Sequence, residues 1–313
     1  MMLRIHLPLL CLCFWLPCQA NFARFSGEPV VVPMLLAGNS IFVEATLNGR
    51  TGIFLLDTGS PWLMVNKAYF TGAPIHHSDE SLTDLNGNII KPEYFTVKSL
   101  SLQGLALPRP AGYMLDLTGI EKAKGLPVLG VLGYSVFRQL ELVFDFEKRQ
   151  LVIFSLKKNG LPDCETYPYC PVDSLDLKIS GHFPSVEAKL GGKILRLGID
   201  SGSEVNLLHP KALKKQEALF QASSQVWVKG FSHELESKTT GWVHEFSLGS
   251  LEAQPLEVTL TNFSHLNKAL PTDLDGILGT CFLMRGKMAI NFKRKKLYFW
   301  ETAGETLARS GQK

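Results

Sequence analysis

The chain carries little of what would tie it to a nucleic acid, a metal or a bilayer core. Charged residues are 19% of 313, and 32 Lys+Arg against 29 Asp+Glu leave a formal charge of +3. No basic segment concentrates that excess, so no nucleic acid partner is expected. Cysteine is sparse: six in all, with Cys11, Cys13 and Cys18 inside the first twenty residues. No Cys/His set stands at zinc-ligand spacing and the adjacent His76-His77 reads as a loop pair, so neither a metal nor an organic cofactor is implied. Beyond the N-terminus no apolar run is long enough to span a membrane. Apolar residues are abundant, at 45%, which excludes a disordered chain and fits a folded protein with a large core. The length suggests two domains.

Residues 1–20 read as a signal peptide. Arg4 supplies the positive start, Ile5 to Pro17 is mostly apolar, and Cys18-Gln19-Ala20 places small residues where a signal peptidase reads. The mature chain is expected to be secreted or periplasmic, with no stable membrane span. In an oxidising compartment Cys164 and Cys170, close together in a loop-like stretch, are a possible disulfide. Cys281 lies in an apolar segment and is expected to be buried and inert.

Internal similarity is the most informative feature. Residues 43–60 align without a gap on 186–203, a shift of 143, with eight identities in eighteen positions. Both segments end on an acidic motif, Asp57-Thr-Gly-Ser60 and Asp200-Ser-Gly-Ser203. At a shift of 146, Val131-Leu-Gly133 then matches Ile277-Leu-Gly279. Each copy reads as mostly β. Asn48-Gly49 and Gly191-Gly192 mark hairpins ahead of the acidic motifs, and further hairpins turn at 147–150 and 293–296. The basic run Lys293 to Lys296 is read as a solvated turn. Short helices are expected after Gly133 and Gly279, and another from Pro210 to Phe220. The Pro-, Cys- and Tyr-rich stretch 155–175 reads as a connection.

Each acidic motif emerges from an apolar strand. A carboxylate at the end of a buried strand is costly unless donors surround it, and glycine two residues later lets backbone amides come close. If the copies pack about a pseudo-twofold axis, the two carboxyls meet there and share a proton, since like charges so close cannot both ionise. The ionised member can take a proton from water while the protonated member polarises a carbonyl.

These residues resemble the aspartic peptidases of the pepsin and retropepsin type, in a duplicated single-chain form. The resemblance rests on Asp57-Thr-Gly-Ser60 with Val131-Leu-Gly133, and on Asp200-Ser-Gly-Ser203 with Ile277-Leu-Gly279. It implies two acid-protease-like β-barrel lobes, at 21–157 and 184–313, joined by a linker at 158–183. It further implies Asp57 and Asp200 as catalytic, supported by Thr58, Gly59, Ser60, Ser201, Gly202 and Ser203. Strands ending Leu132-Gly133 and Leu278-Gly279 would pass behind the acidic loops. Thr58 and Ser201 would bond across the axis, and the Ser60 and Ser203 hydroxyls would support the carboxylates and lower their pKa. Flap candidates are Asn86-Gly87 and Lys229-Gly230. Glu204 adds a charge that raises the dyad's pKa values if it points inward, or does nothing if solvated. The implied activity is hydrolysis of an extended peptide by a monomeric, secreted endopeptidase. The competing expectations are an inactive peptide- or protein-binding module on the same lobes, and a structural envelope-associated protein.

Overall fold

The structure is a computed structural model. It describes residues 28–300 apart from 72–74, 78–81, 84–88, 91–92, 166, 168–169, 230–234 and 251–254. The expected signal peptide lies outside the described residues, as do the flap tip Asn86-Gly87 and Gly230. The chain is mostly β, in three main sheets.

Turn chemistry sets the first hairpin of each lobe. Ser40–Leu47 and Arg50–Leu56 pair antiparallel, with Asn48 and Gly49 at φ 50° and 81°, which suits a tight hairpin following the strands' twist. Phe183–Leu190 and Lys193–Ile199 pair in the same way through Gly191 and Gly192, at φ 54° and 79°. Successive side chains then point to opposite faces. Ile41, Val43, Ala45 and Leu47 enter the main core, whereas Phe42 packs in a second cluster with Leu55, Tyr113, Leu117 and Ile120.

The two lobe sheets share a strand order. In the first it runs Ser40–Leu47, Arg50–Leu56, Gly130–Leu132, Leu63–Asn66, Gly112–Leu115; in the second, Phe183–Leu190, Lys193–Ile199, Gly276–Leu278, Leu207–Leu208, Leu256–Leu260. Directions match as well. The strand leading to each Asp lies parallel to the apolar-apolar-Gly strand, which is antiparallel to the next. The expected short helices are present at Tyr134–Phe137 and Thr280–Leu283.

A six-stranded sheet joins the lobes, in the order Val30–Pro33, Gln150–Ser155, Leu140–Asp145, Met288–Asn291, Lys296–Phe299, Asp173–Asp176. Its central pair couples equivalent strands, with Leu142 opposite Ile290 and Val143 opposite Ala289. The 143-residue shift also relates its edge strands.

Three expectations need correction. The stretch 158–183 is not only a connection: Asp173–Asp176 and Lys178–Ser180 are strands, because the edges of Lys296–Phe299 and Phe183–Leu190 supply partners that no local pattern reveals. The single helix expected from Pro210 to Phe220 is two short 3-10 turns, Pro210–Leu213 and Glu217–Leu219, separated by Lys215 at φ 68°. Cys164 and Cys170 are free thiols rather than a disulfide. Cys164 packs beside Phe154, Tyr167 and Trp300 on the joining sheet, while Cys170 is exposed. Burial raises the Cys281 thiol to about 11, which keeps it protonated and inert.

Candidate active site

The two acidic loops meet between the lobes. Asp57 and Asp200 each follow the last residue of a strand, and each backbone N–H is fixed at 3.0 Å by the carbonyl of the residue before the glycine of the neighbouring strand, Leu132 or Leu278. Gly133 and Gly279 are required behind the loops. A Cβ on either would stand 2.3 Å from a carbonyl oxygen, of Trp62 or Val205. Tyr134 and Thr280 then donate their N–H groups to the Ser60 and Ser203 carbonyls at 2.7 Å.

Thr58 and Ser201 tie the loops to one another. The Thr58 N–H donates to Ser201 Oγ and the Ser201 N–H to Thr58 Oγ1, both at 3.0 Å. Each hydroxyl then donates into the opposite lobe, Thr58 to the Ile199 carbonyl and Ser201 to that of Leu56. All these groups are buried and satisfied, so the loops sit in one register.

Glycine lets the carboxyls approach. A Cβ on Gly59 would lie 2.6 Å from Asp200 Oδ1, and one on Gly202 would lie 2.4 Å from Asp57 Cγ. Each carboxyl therefore rests on the glycine of the other loop, and the two carboxyls lie within hydrogen-bonding reach of each other. Asp57 is 4% exposed and Asp200 fully buried.

Burial raises both acids. Asp57 is lifted to about 6, desolvation outweighing its hydrogen bonds from the dyad partner and the loop amides. Asp200 is raised well above the usual carboxylate range, by desolvation first and then by the Asp57 charge. The donors to the two carboxyls also differ. Asp57 Oδ1 accepts the Gly59 and Ser60 amides at 3.0 and 2.8 Å, whereas Asp200 Oδ1 accepts the Gly202 amide at 2.8 Å. Asp200 Oδ2 is buried with no geometric hydrogen-bond partner. A lone carboxylate would be costly in that position, while a protonated or proton-sharing carboxyl is not.

The serine hydroxyls do not act as expected. Ser203 Oγ donates to the Val205 carbonyl at 2.8 Å, and Ser60 Oγ is buried without a partner. Neither hydroxyl donates to a carboxyl oxygen, so neither lowers a pKa. Glu204 is likewise neither solvated nor aimed at the dyad. It is buried in an ion pair with Lys124 of the first lobe.

Sequence reasoning passed over two residues at this junction. His182 is 6% exposed, its ring lies against the Gly59 backbone, its Nε2 is buried without a hydrogen-bond partner, and burial lowers its pKa to about 4, so it stays neutral above that pH. Its place in the first lobe is taken by Asn39, whose Nδ2 donates to the Glu204 carbonyl. Each lobe thus sends a residue from the same turn to the other lobe's acidic loop, and the 143-residue repeat was the available signal. Next to the Asp57 loop, Trp62 stacks on Tyr113 at 4.4 Å, and Tyr113 packs against Tyr94. Of the flap candidates, Lys229 is described, as the last residue of the strand Phe220–Lys229.

Residues 43–136 match the family model described as aspartyl protease. The first lobe is aspartyl-protease-like. The matched segment holds Asp57-Thr-Gly-Ser60 and Val131-Leu-Gly133, while Asp200 lies beyond it. No curated protein matches the chain. The aspartyl-protease-like strand arrangement nevertheless recurs in the second lobe, where it carries Asp200 to the same junction.

Proposed function

We propose that the chain is an aspartic endopeptidase of duplicated single-chain form, secreted or periplasmic after loss of residues 1–20 and active as a monomer. One observation carries the reading: two buried carboxyls on equivalent strand ends, each seated on the other loop's glycine. One chain supplies both acids.

The unequal donors support one division of roles. Asp57, with two amides on Oδ1, is the carboxylate; Asp200, with an undonated Oδ2, carries the proton. A water held between them gives its proton to Asp57 as its oxygen attacks the peptide carbonyl carbon. The Asp200 proton passes to the carbonyl oxygen as that oxygen gains charge. On collapse of the tetrahedral adduct the C–N bond breaks, Asp57 protonates the leaving nitrogen, and the adduct's hydroxyl returns a proton to Asp200. The apparent pKa values belong to the pair. An extended peptide binding with its own backbone hydrogen bonds suits a cleft between β lobes.

The test is cleavage of a peptide library from pH 3 to 8. The reading expects cleavage that a statine-type inhibitor and Asp57→Asn both abolish. Intact peptides, retained on a well-folded protein, would instead establish the binding module.

A further inference from the structure

Glu204 directly follows the second acidic motif, yet its partners belong to the first lobe. Its Oε1 accepts from Lys124 Nζ and, at 2.9 Å, from Ser40 Oγ, and its backbone carbonyl accepts from Asn39 Nδ2 at 3.1 Å. Both side chains of the ion pair are 5% exposed. Gly38, at φ 63°, leaves room for the carboxylate: a Cβ there would come within 3.1 Å of Oε2. Pro61 holds the equivalent position in the first lobe, and a proline offers neither a charge nor an N–H.

Two other ties between the lobes are exchanges of equivalent partners. Thr58 and Ser201 trade hydrogen bonds, and Leu140–Asp145 pairs with its counterpart Met288–Asn291. Such exchanges straddle the pseudo-twofold axis, so a small rotation of one lobe about that axis strains them least. The Glu204 side-chain contacts have no mate in the first lobe, where Pro61 stands, and lie off the axis, where the same rotation would pull them apart. A buried charge left without its partner is costly, so the tie resists being opened.

We propose that Glu204 is a positioning residue for the dyad, an off-axis tie with Lys124, Ser40 and Asn39 that holds the Asp200 loop in register with the Asp57 loop. The inference rests on the peptidase reading for its consequence in catalysis, though not for the tie itself.

The test compares Glu204→Gln, Lys124→Met, the double variant and the milder Ser40→Ala in the full chain. Three quantities are measured: thermal unfolding, the carbon-13 titration of the Asp57 and Asp200 carboxyls, and kcat and KM on a cleaved peptide. Each charge-removing single variant should lower Tm by several degrees, and the double variant should lose less than the sum. The gap between the dyad's two apparent pKa values should narrow by about one unit, a tenfold change in relative proton affinity. kcat should fall about tenfold with KM little changed, as when an interaction serving the transition state is lost. Ser40→Ala should move every readout the same way by less, and it covers the case in which a charge variant fails to fold. Lower Tm with an unchanged dyad gap and kcat would overturn the proposal, leaving a purely structural ion pair. Additive Tm losses would also overturn it. If the wild-type chain cleaves nothing, the peptidase reading falls, and the dyad titration still decides whether Glu204 positions the carboxyls.

Discussion

In the first lobe Asp57 Oδ1 receives two loop amides; in the second, Asp200 Oδ1 receives one, and the Ser203 amide turns to the Asp200 carbonyl instead. The surrounding strands have the same order and directions, and the same glycine stands behind each loop. One backbone plan thus provides two different hydrogen-bond settings for carboxyls that burial raises alike above the usual carboxylate range. A second contrast lies one residue downstream. Pro61 continues its own lobe, its carbonyl taking the Ser135 amide, whereas Glu204 is captured by the opposite lobe. Symmetry of fold sets where the acids meet, and departures from it set the donors and charges around each.

The sharpest way to break this comparison is to remove one acid at a time. Asp57→Asn and Asp200→Asn should each lower kcat by at least about a thousandfold, the scale of losing an acid–base partner, while the chain still folds. A variant retaining half the activity would show that the lobes do not share one site. Next come the glycines. Gly59→Ala and Gly202→Ala drive a methyl into the opposing carboxyl, so each should cost about 1–3 kcal/mol of stability along with most of the activity. Urea unfolding and peptide cleavage measure the two effects.

The pH dependence of stability tests the electrostatic contrast. Both acids have folded pKa values above the usual carboxylate value of 3.8. Their proton-bound forms favour the folded state, so this stability is complete below about pH 4 and is lost as pH rises through the folded values. For Asp57, lifted to about 6, the loss is on the order of 3 kcal/mol. Chemical unfolding across pH 4 to 8 should show the decline in the native chain and little of it in Asp57→Asn/Asp200→Asn. In activity, kcat/KM should rise through an apparent pKa of about 6 as the pair loses its first proton, then fall as it loses the second.

The smallest effect belongs to the serines. Ser203→Ala should cost no more than about 1 kcal/mol, the scale of one hydrogen bond to the Val205 carbonyl. Ser60→Ala removes a buried hydroxyl that makes no bond, so it should be neutral or slightly stabilising. Neither should move the acid limb of the rate profile. A shift upward in the double variant would restore the hydroxyl support that the sequence suggested.

What the sequence made legible was local or repeated. Asn48-Gly49 and Gly191-Gly192 announce their hairpins because few residues accept those turn angles, and the acidic motifs stand out because they recur at one spacing. The expected seat of each short helix, just after Gly133 and Gly279, is also where it forms. The destinations of side chains that cross between lobes were not legible. Glu204 meets Lys124, 80 residues away, and no periodicity encodes that meeting. The Ser203 hydroxyl turns to the Val205 carbonyl and that of Ser60 meets no partner, which residue types alone do not determine. The edge strand Asp173–Asp176 has a polar sequence and becomes a strand because Lys296–Phe299 offers it an unpaired edge.

The joining sheet has a consequence for how the molecule comes into being. Its middle contact brings together strands about 150 residues apart, Glu141 facing Asn291. Closing so large a loop is slow, so a half-synthesised chain holds one acid with nothing opposite it. In the proposed peptidase, activity would therefore wait until the last strands, near residue 299, have docked. Severing the backbone between Ser155 and Asp173 would put one acid on each fragment, and a centre recovered only on mixing the two would show that the acids act together.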